Sequence, residues 1–186
     1  MIGSEQLNKW KFWSTQPVPN MDSDTTEAGI DGHAIDEIKT VEQIKQEPYK
    51  LPGGFEWCTL DVTEEAQLNE LYDLLNMNYV EDEDEMFRFK YSKDFLNWAV
   101  MPPGYHKDWH VGVRVSKSQR LVGFVAGIPA RVKIGSVSKD ISEINFLCVH
   151  KSLQGKRVAV RLIQEVTRKI NLKGIFQVSK KNIDYG

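Results

Sequence analysis

The sequence predicts an α+β domain, a mixed and mostly antiparallel sheet flanked by helices. Three observations carry that expectation. Residues 64–79 place apolar side chains at three- and four-residue steps, the period of an amphipathic helix. Residues 109–149 hold four strand-like segments joined by short polar connections, which favours antiparallel pairing. The last of these segments then runs through a polar loop into a basic amphipathic helix, with another apolar run from Ile175.

In chain order, residues 1–20 carry Trp10, Phe12, Trp13, Pro17 and Pro19, dense enough in aromatics to predict an extended segment docked on the body. Residues 21–46 are polar and acidic and read as a flexible connection. Pro48, Pro52, Gly53 and Gly54 punctuate the entry to the fold. The helix at 64–79 has Leu68, Leu71, Tyr72, Leu75 and Tyr79 on one stripe, with Thr63 as its expected N-cap. A short helix over 93–100 takes Ser92 as cap, turns Phe95, Leu96 and Ala99 inward, and ends before Pro102-Pro103-Gly104. Strands are expected at 109–115, 121–128, 131–137 and 142–149; the second and fourth are near-continuously apolar, as in a strand covered on both faces. A helix over 155–171 aligns Ala159, Leu162, Ile163, Val166 and Ile170, and Gly174 lies just past its end. The expected organisation is an arm and linker at 1–46, a core at 47–178 and a divergent tail at 179–186.

At 186 residues, with 41% hydrophobic and 27% charged residues, the chain can build one core. No apolar run is long enough to span a bilayer, and the N-terminus lacks a secretory pattern. Cys58 and Cys148 are too few for a disulfide framework, so the expected setting is the cytoplasm. The net charge of −2 conceals a split: residues 151–181 hold nine Lys/Arg against Glu165 alone, whereas residues 81–85 are all acidic. Solvated surface is the usual meaning of such runs. The alternative is one site for an anion and another for a basic ligand.

The junction from Glu143 to Val160 is the strongest constellation. A strand feeding a short loop and a helix N-terminus aims free N–H groups and positive charge at one place, which suits a phosphate. Gly155 supplies room, Lys156 and Arg157 charge. Gln154 to Ala159 also fits a loose form of an acyl-CoA pyrophosphate loop, with Arg157 standing where that pattern wants glycine. An ordinary capped helix fits the bare pattern equally well. Cys148 and His150, two apart on a strand, invite a thiol–imidazole or metal pair. The other histidines lack ligand spacing, so no metal is expected and the cysteine is not read as a nucleophile. The basic helix has no aromatic stacking partners, and nucleic acid is not expected as a partner.

The element order matches a GNAT-like acyl-CoA N-acyltransferase core, an order that many α+β domains share. More specific are the words themselves. Lys11-Phe12-Trp13 with Thr15-Gln16-Pro17-Val18-Pro19, Gln46-Glu47-Pro48-Tyr49, Asn78-Tyr79-Val80-Glu81-Asp82, Met86-Phe87-Arg88-Phe89, Trp109-His110 with Gly112-Val113-Arg114-Val115, and Glu143 to Lys151 with Lys156-Arg157-Val158-Ala159 occur in one order. Together they resemble the eukaryotic glycylpeptide N-tetradecanoyltransferases, the N-myristoyltransferases, in their N-terminal half. The resemblance implies one half of a tandem GNAT-like pair. It implies transfer of a myristoyl group from myristoyl-CoA, the acyl-donor substrate, to the N-terminal glycine amine of a protein or peptide, with no permanently bound cofactor. By motif, Lys11, Phe12 and Trp13 line the acyl-CoA site. Phe146 and Leu147 give backbone N–H groups to the thioester carbonyl, Cys148 and Val149 continue that wall, and Gly155, Arg157, Val158 and Ala159 hold the phosphates. Tyr79, Val80, Glu81, Asp82, Phe87 and Phe89 lie along the peptide groove.

The sequence departs from the family's pattern in two ways. Gln154 and Val160 stand where Arg and Pro are expected, and the likeness fades after Gln177. The expectation is a truncated chain lacking the second half and the terminal carboxylate that serves the family as base, and therefore weak or inactive alone. A non-catalytic acyl-CoA-binding module and an interaction fragment stand as alternatives.

Overall fold

A computed structural model describes residues 39–79, 91–134, 136–153, 155–176 and 178–180. The architecture is α+β, as expected. Among the described residues, five strands form one sheet in the order β1-β2-β3-β4-β5, where β1 is Phe55–Thr59, β2 His110–Val115, β3 Leu121–Ile134, β4 Val137–Val149 and β5 Val178–Lys180. The first three pairings are antiparallel; β5 joins β4 in parallel over Ser142–Ile144. Helices α1 (Glu65–Asn78) and α2 (Lys93–Val100) lie between β1 and β2 in the chain, and α3 (Val158–Asn171) crosses from β4 to β5.

The sheet is covered on both faces, which explains its apolar strands. Leu71, Leu74, Leu75, Leu96 and Val100 of α1 and α2 pack with Leu121, Phe124, Ala126, Phe146 and Cys148. On the other side Val158, Leu162, Val166 and Ile170 of α3, spaced four apart, pack with Trp109, Val111, Val113, Val122, Val125 and Ile144. The backbone of the glycines in β3 must pass close beneath α3: a Cβ at Gly123 would meet Leu162 Cδ1 at 3.2 Å, and one at Gly127 would meet Ile170 Cδ1 at 3.1 Å.

Several expectations need correction. Strand β1 carried no sequence expectation; it is an edge strand whose partner in the described sheet is β2. The segments expected at 121–128 and 131–137 are not two strands: Leu121–Ile134 is one long strand, and Val137 already opens β4. Pro129 interrupts the sequence pattern but not the ladder, because β3 has run past its last β2 partner at Ala126 and bonds only to β4 there. Thr63 does not cap α1: its N–H and hydroxyl both donate to Asp61 Oδ1, at 3.1 and 2.5 Å, and the N-cap position is Glu64. Ser92 caps α2 as expected, accepting from Phe95 N–H at 3.1 Å. Phe95 is nonetheless 39% exposed, stacked on Tyr91 rather than turned into the core. Helix α3 begins at Val158, three residues late, because the chain takes positive φ at Gly155 and Arg157 first.

The segment before β1 is held to α3 by a buried ion pair. Arg168 donates to both carboxylate oxygens of Glu165 and, through Nη1, to the carbonyls of Gln46 (2.9 Å) and Lys45 (3.3 Å). Glu165 Oε2 in turn accepts from Tyr49 N–H at 3.0 Å, and Tyr49 O from Trp57 Nε1.

Candidate functional site

Strand β4 supplies the unusual backbone. Between Cys148 and Asn145 it carries two residues, Phe146 and Leu147, opposite the single Val125 of β3. This is a β-bulge, and Phe146 adopts φ 53° within it. A positive φ is an outlier for a bulky side chain, costing on the order of 1–3 kcal/mol, and persists only when surroundings enforce it. Here the ring of Phe146, 3% exposed, is wedged between Tyr79 (centroids 5.7 Å) and Tyr91 (5.8 Å, edge-on), with Phe95 stacked on Tyr91 behind. The bulge also breaks the alternation of faces. Ile144, Leu147 and Val149 pack on the α3 side, Phe146 and Cys148 on the α1/α2 side. The expected wall of Phe146 to Val149 is thus divided between two layers, with the backbone as its common element.

Beyond β4, the loop is built to expose amides at a helix start. A 3-10 turn at Lys151–Leu153 leads to Gly155 at φ 80° and Arg157 at φ 58°, both exposed. The first backbone bond into α3 is Arg161 N–H to Arg157 O, at 3.2 Å. The N–H groups of Val158, Ala159 and Val160 precede that bond, which is the geometry that gives a helix start its affinity for anions. The glycine expected at position 157 by the pyrophosphate-loop pattern is explained by this left-handed conformation, which Arg157 adopts at a strain cost. The last residue of α1 ties the loop to the other layer: Asn78 Oδ1 accepts from Lys151 N–H at 3.1 Å.

Cys148 and His150 do not pair. The Cys148 thiol points toward Leu74 O at 3.8 Å, and burial pushes its pKa up to about 12, which leaves it a thiol at neutral pH. The His150 ring lies between Arg120, whose Nη2 donates to Nε2 at 2.6 Å, and Ser152 Oγ, 2.9 Å from Nδ1. Nδ1 also accepts from the Ser152 N–H at 3.2 Å, so each ring nitrogen faces a group that can only donate. Burial first, and then the Arg120 charge, pull the pKa of His150 below its ordinary value. Arg120 and His150 border a hollow of about 170 Å³ lined also by Glu70, Asp73, Met77 and Asn78.

The structure therefore brings Tyr79 against Phe146 and places Leu147, Cys148 and Val149 on the strand leading to Gly155, Arg157, Val158 and Ala159. Lys11, Phe12, Trp13, Val80, Glu81, Asp82, Phe87, Phe89 and Gln154 lie outside the described residues. Sequence reasoning missed Asn145, Tyr91 and Arg120. The first had a visible signal, a polar residue inside the apolar run from Ile144 to Val149. Asn145 Oδ1 accepts a hydrogen bond from Phe146 N–H at 2.9 Å. Among the described residues, no helix is long and apolar enough to cross a membrane.

Comparison with known proteins points to one family. Residues 34–179 match the family described as Myristoyl-CoA:protein N-myristoyltransferase, N-terminal domain. The chain is 51% identical over 180 residues to glycylpeptide N-tetradecanoyltransferase of Drosophila melanogaster, covering 96% of this chain and 37% of that protein. It is 55% identical over 176 residues to glycylpeptide N-tetradecanoyltransferase 2 of Danio rerio, covering 95% and 35%. The crystal structure of Saccharomyces cerevisiae N-myristoyltransferase with bound myristoyl-CoA superposes with TM-score 0.82 at 46% identity, over 90% of this chain and 39% of that one. The chain thus spans well under half the length of these relatives. With a strand bulge, a positive-φ loop and a helix start in the order the sequence words required, and with more than half its residues matched by that family's N-terminal domain, the chain belongs to the myristoyl-CoA:protein N-myristoyltransferases.

Proposed function

We propose that this chain holds myristoyl-CoA for transfer of the tetradecanoyl group to the N-terminal glycine amine of a protein or peptide, in the cytoplasm. The single observation that carries this reading is the bulge at Phe146, a strained turn of backbone set at the end of the strand that leads into the phosphate-type loop. Residues 47–178 form the acyl-CoA-binding half, with 1–46 as arm and linker and 179–186 as a tail whose first two residues, Ser179 and Lys180, complete β5. Gly155, Arg157 and the first N–H groups of α3, at Val158 and Ala159, hold the phosphates. Phe146 and Leu147 direct N–H groups at the thioester carbonyl, and Cys148 and Val149 extend that wall. Lys11, Phe12 and Trp13 contribute to the acyl-CoA site. Tyr79, Val80, Glu81, Asp82, Phe87 and Phe89 border the peptide.

The chemistry follows from these roles. The glycine amine, having lost a proton, attacks the carbonyl carbon; a C–N bond forms, the C–S bond breaks, and CoA leaves as a thiolate that takes a proton. Negative charge builds on the carbonyl oxygen between these events. A preorganised amide aimed there is worth about 3 kcal/mol in other acyl-transfer enzymes. No covalent enzyme intermediate is needed, which agrees with a Cys148 thiol held protonated.

Calorimetric titration of the 186-residue chain with myristoyl-CoA tests the reading, together with CoA release in the presence of a peptide beginning with glycine. Arg157→Gly separates charge from backbone. It should relieve about 1 kcal/mol of left-handed strain, read as a raised melting temperature, yet weaken myristoyl-CoA binding roughly three- to tenfold through the lost cation. No uptake of myristoyl-CoA by the folded chain overturns the proposal. Uptake without CoA release assigns this chain the holding role alone.

A further inference from the structure

The proposed carbonyl-binding amide of Phe146 is already occupied. Asn145, its neighbour in the chain, folds its carboxamide back so that Oδ1 accepts the Phe146 N–H at 2.9 Å. Resting on the acyl-CoA reading above, we propose that Asn145 is a positioning residue whose carboxamide oxygen holds the Phe146 N–H in place of the thioester carbonyl and is displaced when acyl-CoA binds.

Three features of the site support this. Phe146 is 3% exposed, so solvent has little access to replace a missing partner for its N–H. A buried backbone donor left unpaired is costly, and the bulge takes Phe146 out of simple register with β3. Asn145 supplies the partner from a half-buried position opposite Ala126, whose small side chain leaves room on the neighbouring strand. The acceptor is also chemically matched. A carboxamide oxygen is a neutral C=O acceptor, as is a thioester carbonyl, so one replaces the other without desolvating a charge. Once an amine attacks, the substrate oxygen becomes an anion while the carboxamide cannot. A hydrogen bond to a charged acceptor is about twice as strong as a neutral one, so the exchange favours substrate progressively toward the tetrahedral intermediate. A carboxylate at this position would do the reverse, holding the N–H and repelling the developing charge.

The experiment is a calorimetric titration of wild type, Asn145→Ala and Asn145→Asp with three probes: myristoyl-CoA, its thioether analogue lacking the carbonyl oxygen, and CoA. Asn145→Ala should bind myristoyl-CoA about three- to tenfold more tightly, the value of one competing hydrogen bond, while thioether and CoA affinities stay within about twofold of wild type. Its unliganded melting temperature should fall, because the Phe146 amide has lost its partner. Asn145→Asp should weaken myristoyl-CoA by a similar factor or more, again sparing the other two. The infrared C=O stretch of 13C-labelled thioester should lie lowest in the alanine variant and highest in the aspartate one. A variant that merely disturbed the fold would shift all three probes together. Equal effects on thioester and thioether, or an alanine variant that binds myristoyl-CoA no more tightly than wild type, overturn this inference while leaving acyl-CoA binding intact. Failure of the wild-type chain to bind any probe overturns the parent reading, and this one with it.

Discussion

Replacing Arg168 by alanine isolates Glu165, the most deeply placed charge among the described residues. Glu165 is 1% exposed and Arg168 7% exposed. The guanidinium donates to both oxygens of Glu165 and to the carbonyls of Lys45 and Gln46. After Arg168→Ala the Glu165 carboxylate stays buried, and of the bonds described only the one from Tyr49 N–H, at 3.0 Å, remains to it. Removing one partner of a buried pair costs about 3–5 kcal/mol, chiefly as the penalty of the charge left behind. For a chain of this size that is a fall in melting temperature of about 6–20 °C. The companion Glu165→Leu/Arg168→Met variant removes both charges. Lys45 and Gln46 are exposed, so their carbonyls can rehydrate, and the double variant should lose only about 1–2 kcal/mol. Equilibrium urea unfolding, with the midpoint shifting at constant slope, reads both. If Arg168→Ala fell within about 1 kcal/mol of wild type, or if the double variant lost as much as the single, the pair would not be the electrostatic clamp of residues 45–49 on α3 described above.

Two further outcomes follow from packing and titration. Gly112→Ala would place a Cβ inside the contact distance of Leu60 Cδ1, in a fully buried side chain, and 2.6 Å from Cys58 Sγ; the expected loss is about 1–3 kcal/mol in urea unfolding. His110 is fully buried with Nε2–H donating to Val100 O at 2.9 Å, and burial pulls its pKa below the ordinary 6.5. Below pH 6.5 the unfolded chain therefore takes up the proton more readily than the folded one. The wild type should hold its stability above that pH and lose it as pH falls toward the folded value, whereas His110→Gln should show a shallower decline across the same window. The measurement is the urea midpoint at about pH 7.5 and about pH 5, compared between the two proteins. Equal pH dependence in both would remove His110 from the account.

Much of this molecule is local enough to be legible in the chain. The stripes of α1 and α3 arise from spacing alone, and Ser92 caps α2 because a serine hydroxyl at that position can reach Phe95 N–H whatever else folds. The strand–loop–helix from Ile144 to Asn171 and its basic charge are likewise written in consecutive residues. Where position depends on a distant partner, the sequence was silent. Alternation puts Ile144, Phe146 and Cys148 on one face; the structure parts Ile144 from the other two, because the register with β3 gains a residue at Phe146 and the rings of Tyr79 and Tyr91 hold the resulting turn. Pro129 looks like a strand end until it is clear that β2 stops short of it. Arg168 looks like one more cation on a basic helix, yet it is buried against a carboxylate and two carbonyls from residues more than 120 positions earlier. Spacing along the chain determines which face is apolar; which amide turns outward, and which charge turns in, is decided only when remote segments compete for the same hydrogen bonds.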